Sequence, residues 1–177
     1  APQIIRRTTS FTYQYRGDYQ ALIKALVQHE GRNRQILHDI LQAAVEPDHG
    51  TALVVSDRVS HCRFFAEKLH QRGVKVELLH GQLNPDARCE IVDAVQAGAV
   101  EVLVATLQLI SEGFDCPGLA TLFLTTPISF EGRLLQVIGR IMRPAANKRA
   151  RVFDYIDGNV PTLLRSARSR SVVLSQL

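Results

Sequence analysis

Apolar positions along the chain follow two different periods. In residues 18–30 (DYQALIKALVQHE) and 33–45 (NRQILHDILQAAV) they recur three and four apart, which predicts two helices. Asp18 and Asn33 are the expected N-caps, and Pro47 with Gly50 ends the pair. A short apolar run, TALVVS (51–56), has the length of a strand. A helix over DRVSHCRFFAEKLHQRG follows, capped by Asp57 and stopped by Gly73. The alternation continues with a strand in VKVELLH and a helix in NPDARCEIVDAVQAG, with Asn84 as cap, Pro85 at the first position and Gly98 as terminator. Strands in VEVLVAT and ATLFLTT come next, separated by an irregular loop. A helix over SFEGRLLQVIGRIMR, capped by Ser129, a strand in ARVFDYID and a short polar terminal helix complete the chain.

Strands of five to seven residues alternating with helices of ten or more imply βαβ crossovers. The expected fold is therefore α/β, a mostly parallel sheet with helices on both faces. With 177 residues, 46% hydrophobic and 21% charged, the chain suits one globular domain. Residues 1–17 are expected to be an extended entry segment and residues 18–177 the domain itself. The start at Ala1 rather than Met suggests a segment cut from a longer protein.

Composition removes several classes. No apolar run reaches about 18 residues, so no membrane span is expected. Cys62, Cys89 and Cys116 are far apart, with no CxxC and no secretory leader, which suits reduced, buried thiols in a cytoplasmic protein, the nucleus remaining open. His49, His61, His70 and His80 lack metal-ligand spacing and are expected as surface or packing residues. A net charge of +4 fits either an ordinary soluble domain or a polyanion partner.

In a parallel sheet ligands sit beyond the carboxyl ends of the strands, so the loops after Ser56, Leu79, Thr106 and Thr126 carry the candidate chemistry. Ser56, Asp57 and Arg58 offer a hydroxyl and a guanidinium to a backbone phosphate, or simply cap a helix. Gly81 lies ahead of a helix whose free N–H groups suit a phosphate, or it makes a plain turn; Arg88, one turn into that helix, is exposed or paired. Beyond Thr106, Gly113 permits an unusual backbone conformation. Asp115 there accepts from a ribose hydroxyl, pairs with an arginine, or caps local backbone. The stretch LLQVIGRIMRP (134–144) is apolar around most of a helix. It gathers Gln136, Gly139, Arg140 and Arg143 within about 100° of circumference. Two fixed charges on one face either clamp a phosphate or are solvated.

These pieces, in this order and spacing, resemble the second RecA-like domain of superfamily 2 helicases and translocases. ALVVSDR resembles motif IV, LHGQL with its helix motif IVa, VLVATLQLISEGFDCP motif V, and QVIGRIMRP motif VI in its Q-x-x-G-R-x-x-R form. GRNRQILHDIL is similar to the helix before motif IV in DNA-acting relatives. The resemblance implies a RecA-like three-layer sandwich. It implies that Arg140 and Arg143 are arginine fingers reaching the γ-phosphate of ATP, and that Gln136, Gly113 and Asp115 serve the nucleotide site. Ser56, Arg58, Gly81 and Thr106 fall where the family approaches the nucleic-acid backbone.

Gln136 stands where DEAD-box proteins open motif VI with histidine, and Ile141-Met142 replace their usual Thr-Gly, which favours DNA-acting branches. The chain contains neither G-x-x-x-x-G-K-[ST] nor D-E-x-[DH]. ATP and Mg2+ are therefore expected mainly on a missing N-terminal RecA-like domain, with this chain inactive alone. The rival expectations are a nucleic-acid-binding or protein-docking module that keeps the fold without a motor, and a Rossmann-type nucleotide enzyme. TALVVS leads into DRVSH with no glycine fingerprint, which speaks against the latter.

Overall fold

Every residue of Thr51–Ser56 is buried, the requirement for a strand covered on both faces. It is the second strand of a computed structural model that describes residues 2–46, 50–81, 84–112, 114, 116–128, 138–139 and 150–177. In chain order the elements are β1 (Gln3–Thr8), α1 (Tyr19–Gln28), α2 (Glu30–Ala44), β2 (Thr51–Ser56), α3 (Val59–Gln71) and β3 (Val76–Leu79). Then come α4 (Pro85–Gln96), β4 (Val102–Thr106), α5 (Leu107–Ser111), β5 (Leu119–Leu124), β6 (Arg151–Ile156) and α6 (Pro161–Leu174).

The six strands form one sheet in the order β1-β6-β5-β2-β4-β3, and every neighbouring pair is parallel. Strand side chains alternate between faces, and the core divides accordingly. Leu53 and Val55 of β2 meet α4, α5, the end of α6 and Ile138. Ala52 and Val54 meet Ile36 and Ile40 of α2 and Phe65 and Leu69 of α3. Three layers result. Phe65 is fully buried, and a phenyl ring removed from water stabilises by about 1.5–3 kcal/mol. A third, smaller cluster joins Phe11, Leu22 and Leu26 to Val160 and Leu163, fastening α1 to the segment after β1 and to the start of α6.

Several expectations need correction. The expected entry segment contributes a strand: Gln3–Thr8 pairs along its length with Arg151–Ile156. The second helix starts at Glu30 rather than after Asn33, because His29 Nδ1 accepts from the Arg32 N–H and caps it. Arg58 stands at the N-cap of α3 and makes no side-chain capping bond, so Asp57 is not the cap. The segment after Thr106 is helical through Ser111, since the Thr106 hydroxyl caps it. The terminal helix runs fourteen residues, with Leu163, Ala167, Arg170, Val173 and Leu174 buried, and is neither short nor wholly polar. Cys62 and Cys116 are buried, but Cys89 is exposed. The caps at Asp18 and Asn84 are as expected. Of the expected helix over 129–143, Ile138 and Gly139 are described; both are helical, Ile138 buried and Gly139 exposed.

Candidate functional site

Because the strands are parallel and in register, their carboxyl ends form one edge. Ser56 is level with Thr106 of β4, and the Thr125 N–H just past β5 donates to Val55 O. Hydroxyl residues line this edge: Thr9, Ser56, Thr106, Thr125 and Thr126 are all buried. A buried hydroxyl needs a partner, and each has one. Thr125 Oγ1 donates to Val55 O at 2.7 Å, Thr126 Oγ1 accepts from the Asp57 N–H at 2.9 Å, and Thr9 Oγ1 donates to Asp157. Their shared role is to fix the direction in which the chain leaves the sheet.

A second set of bonds crosses from α2. Asn33 Nδ2 donates to Val27 O at 2.8 Å, so its Oδ1 must accept from His61 Nε2, also at 2.8 Å. That assignment puts the imidazole proton on Nε2 and leaves Nδ1 to accept from the Ser56 hydroxyl at 2.8 Å. Ser56 Oγ in turn accepts from the Arg58 N–H at 3.2 Å. Burial, and secondarily the Arg32 charge, lowers the His61 pKa from 6.5 to about 3, so the ring is neutral. Although a serine, a histidine and an amide lie in a row, Ser56 is 0% exposed and its hydroxyl is committed to the row. The row holds the β2–α3 turn.

Beside it, Arg32 is 1% exposed. Its Nε donates to Asp157 Oδ1 at 2.8 Å and its Nη1 to Thr125 O at 2.6 Å. Two consecutive residues of α2, Arg32 and Asn33, thus tie together the ends of β2, β5 and β6. A second buried pair, Arg170 Nε with Asp154 Oδ1 at 2.8 Å, joins α6 to β6. Burial pushes the Asp154 carboxyl up and Arg170 opposes it.

Asp57, Arg58 and Gly81 are among the described groups at this edge that reach solvent. Burial raises the Asp57 pKa and Arg58 lowers it. Arg58 Nε lies 3.9 Å from Asp57 Oδ2, and its Nη2 donates to Gln20 Oε1. The Gly81 carbonyl accepts from Arg88 Nη2 at 3.3 Å, so Arg88 braces that turn. Of the residues singled out in sequence, Ser56 and Thr106 are buried with committed hydroxyls, whereas Arg58 and Gly81 are accessible. Gly113, Asp115, Gln136, Arg140 and Arg143 lie outside the described residues. Asn33, His61, Arg32 and Asp157 were not anticipated as parts of this edge. A hollow of about 540 Å³, lined in part by Thr51, Gln96, Glu101 and Gly118, opens at the opposite, amino edge.

The all-parallel sheet between helical layers matches the RecA-like fold. T4 UvsW superposes with a TM-score of 0.76 at 19% identity, over 98% of this chain and 39% of that one. The C-terminal domain of the DEAD-box protein Dbp5 superposes with a TM-score of 0.70 at 15% identity, over 97% and 86%. Residues 19–145 match the model for the helicase conserved C-terminal domain, and the chain belongs to that family. It is 29% identical over 131 residues to putative helicase 22 of Sulfolobus islandicus filamentous virus (isolate Iceland/Hveragerdi), covering 74% of this chain and 22% of that protein. It is 27% identical over 132 residues to UvrABC system protein B of Gloeobacter violaceus, covering 72% and 18%. The chain thus spans about a fifth of the length of these relatives.

Proposed function

We propose that the chain is the second motor domain of an ATP-dependent helicase or translocase acting on DNA. The observation that carries this is Q-x-x-G-R-x-x-R at Gln136–Arg143, which falls inside the family match over 19–145. Arginine keeps its charge at every relevant pH, and its planar fork matches phosphate oxygens. Arg140 and Arg143 would offset charge developing on a γ-phosphoryl group held by a neighbouring domain, with Gln136, Gly113 and Asp115 orienting ribose and fingers. Bound ATP with Mg2+ supplies that phosphoryl group. Among the described residues no group of three or more His, Cys, Asp or Glu is placed to hold a metal ion.

The carboxyl edge is the proposed nucleic-acid face. Arg58 takes a backbone phosphate and the turn at Gly81 presents its N–H to a neighbouring one, while Ser56 holds the β2–α3 turn and Thr106 caps α5 from beneath. Such contacts are insensitive to sequence and weaken with salt. Gln136 and the Ile141-Met142 pair, which depart from the DEAD-box pattern, support DNA over RNA. Among the described residues no helix is long and apolar enough to cross a membrane; a DNA-acting motor works in cytoplasm or nucleus.

The test is Arg140→Ala in the full-length parent. Nucleic-acid-stimulated ATP turnover should fall at least about 10³-fold, the lower end of what an arginine finger supplies, while strand affinity stays within a factor of about two. Unchanged turnover would instead favour a nucleic-acid-binding or protein-docking module that keeps the fold without the motor.

A further inference from the structure

Four aromatic residues lie between β1 and the first turn of α1, and the core accounts for three. Phe11 is buried and stacks on Tyr13 with ring centroids 6.3 Å apart; Tyr13 and Tyr15 pack against the small cluster of α1 and α6. Among the described residues Tyr19 belongs to no apolar cluster. It is the first residue of α1 and stands 37% exposed. The backbone delivers it there deliberately: Gly17, at φ +90°, turns the chain, and Asp18 caps the helix through the Ala21 N–H.

Its surroundings explain why an exposed ring belongs at this spot. The adjoining Gln20 accepts from Arg58 Nη2, which holds the guanidinium against the start of α1. The Gln20–Arg58 bond, one residue along from Tyr19, brings ring and guanidinium into one neighbourhood; burial and then the Asp57 carboxylate raise the Tyr19 pKa, while Arg170 and, less, Arg58 lower it. Val59, which follows Arg58, is 43% exposed. An aromatic ring and an aliphatic side chain therefore border the accessible cation of the carboxyl edge. Asp57 offsets that cation in part, so charge alone is a poor account of this patch. A base has an uncharged face for the ring and a phosphate for the guanidinium.

We propose that Tyr19 is a stacking position for an unpaired base of the bound strand, with Arg58 on the adjacent phosphate. The inference rests on the nucleic-acid reading above and sharpens it: a base inside a duplex has both faces covered, so the strand at this point is single. Stacking of this kind tolerates any base and contributes roughly tenfold in affinity per base.

The chain has four tyrosines and no tryptophan, so quenching of tyrosine emission reports stacking directly. Affinities are measured at low salt for a short oligothymidine strand, the same strand with abasic sites, and a duplex. Unaltered chain should prefer the base-bearing strand over the abasic one by roughly tenfold. Tyr19→Leu should erase that preference and most of the quenching while leaving abasic-strand affinity unchanged, and Tyr19→Phe should retain both. Equal loss on both strands, or a preference that survives Tyr19→Leu, overturns the stacking role and leaves Tyr19 and Val59 to a protein contact. If the unaltered chain binds neither strand, the nucleic-acid reading itself fails, which is a separate result.

Discussion

His61 offers a quantitative test of the buried row at the carboxyl edge. Its ring is neutral in the folded chain with a pKa of about 3, against 6.5 when exposed. The groups that face it are Asn33, Ser56, Phe65 and Arg32, and the Arg32 charge is itself paired with Asp157. Below pH 6.5 the unfolded chain therefore binds a proton that the folded chain refuses. Stability must fall as pH falls, by about 1.4 kcal/mol per unit once well below 6.5. Over the full interval of 3.5 units the loss is about 5 kcal/mol, and by pH 5 it is about 2 kcal/mol. Asp57 and Asp154, whose carboxyls burial raises above 3.8, act in the opposite sense at lower pH, favouring the fold as acid is added.

The comparison is with His61→Gln, which carries those same carboxylates and lacks the imidazole. Urea unfolding followed by circular dichroism from about pH 8 to pH 5 gives both stability curves. The variant will be less stable overall, because a buried hydroxyl or amide loses its partner, but that loss is not the test. The unaltered chain should lose about 2 kcal/mol more than the variant across the interval. Parallel curves would refute the neutral, buried imidazole and with it the tautomer assigned to the row.

Arg32→Ala strands the Asp157 carboxylate in the interior and should cost about 3–5 kcal/mol in the same assay; a loss below about 1 kcal/mol would show that the pair is dispensable. Arg58→Ala should leave stability within about 0.5 kcal/mol, since the side chain is partly exposed and loosely paired. The slope of log affinity against log salt for single strands should become shallower by about 0.7, and an unaltered slope would remove Arg58 from the phosphate path.

The strands were legible because a parallel sheet buries both faces, which leaves runs such as TALVVS and VLVAT with no polar interruption. Helices were legible where a short polar side chain caps them, as Asp18 and Asn84 do. The misread starts share a cause: the cap was an unlikely residue, His29, or came from the preceding strand, as with Thr106. The buried polar pairs do leave a trace in the sequence. Arg170 occupies the stripe Leu163, Ala167, Arg170, Leu174, and Arg32 that of Arg32, Ile36, Ile40, Ala43, so each cation sits where the helical period demands an apolar residue. A charge in such a stripe implies a buried counter-ion, but only the fold says that it is Asp154 or Asp157. The order of the strands was not legible at all, since no local pattern tells Gln3–Thr8 that Arg151–Ile156 will lie beside it.

That last pairing has a consequence for synthesis. Among the described strands β6 is the only partner of β1, and Gln3 meets Arg151. At ordinary elongation rates of ~5–20 residues per second, β1 waits roughly 7 to 30 s on the ribosome before that partner is made. Throughout that time an extended segment with two isoleucines is open to pairing with other nascent chains. Arg6 and Arg7 lie within that segment, and paired charge there repels a second copy. The two arginines thus guard the chain before the sheet exists, and in the folded chain Arg7 also pairs with Asp39.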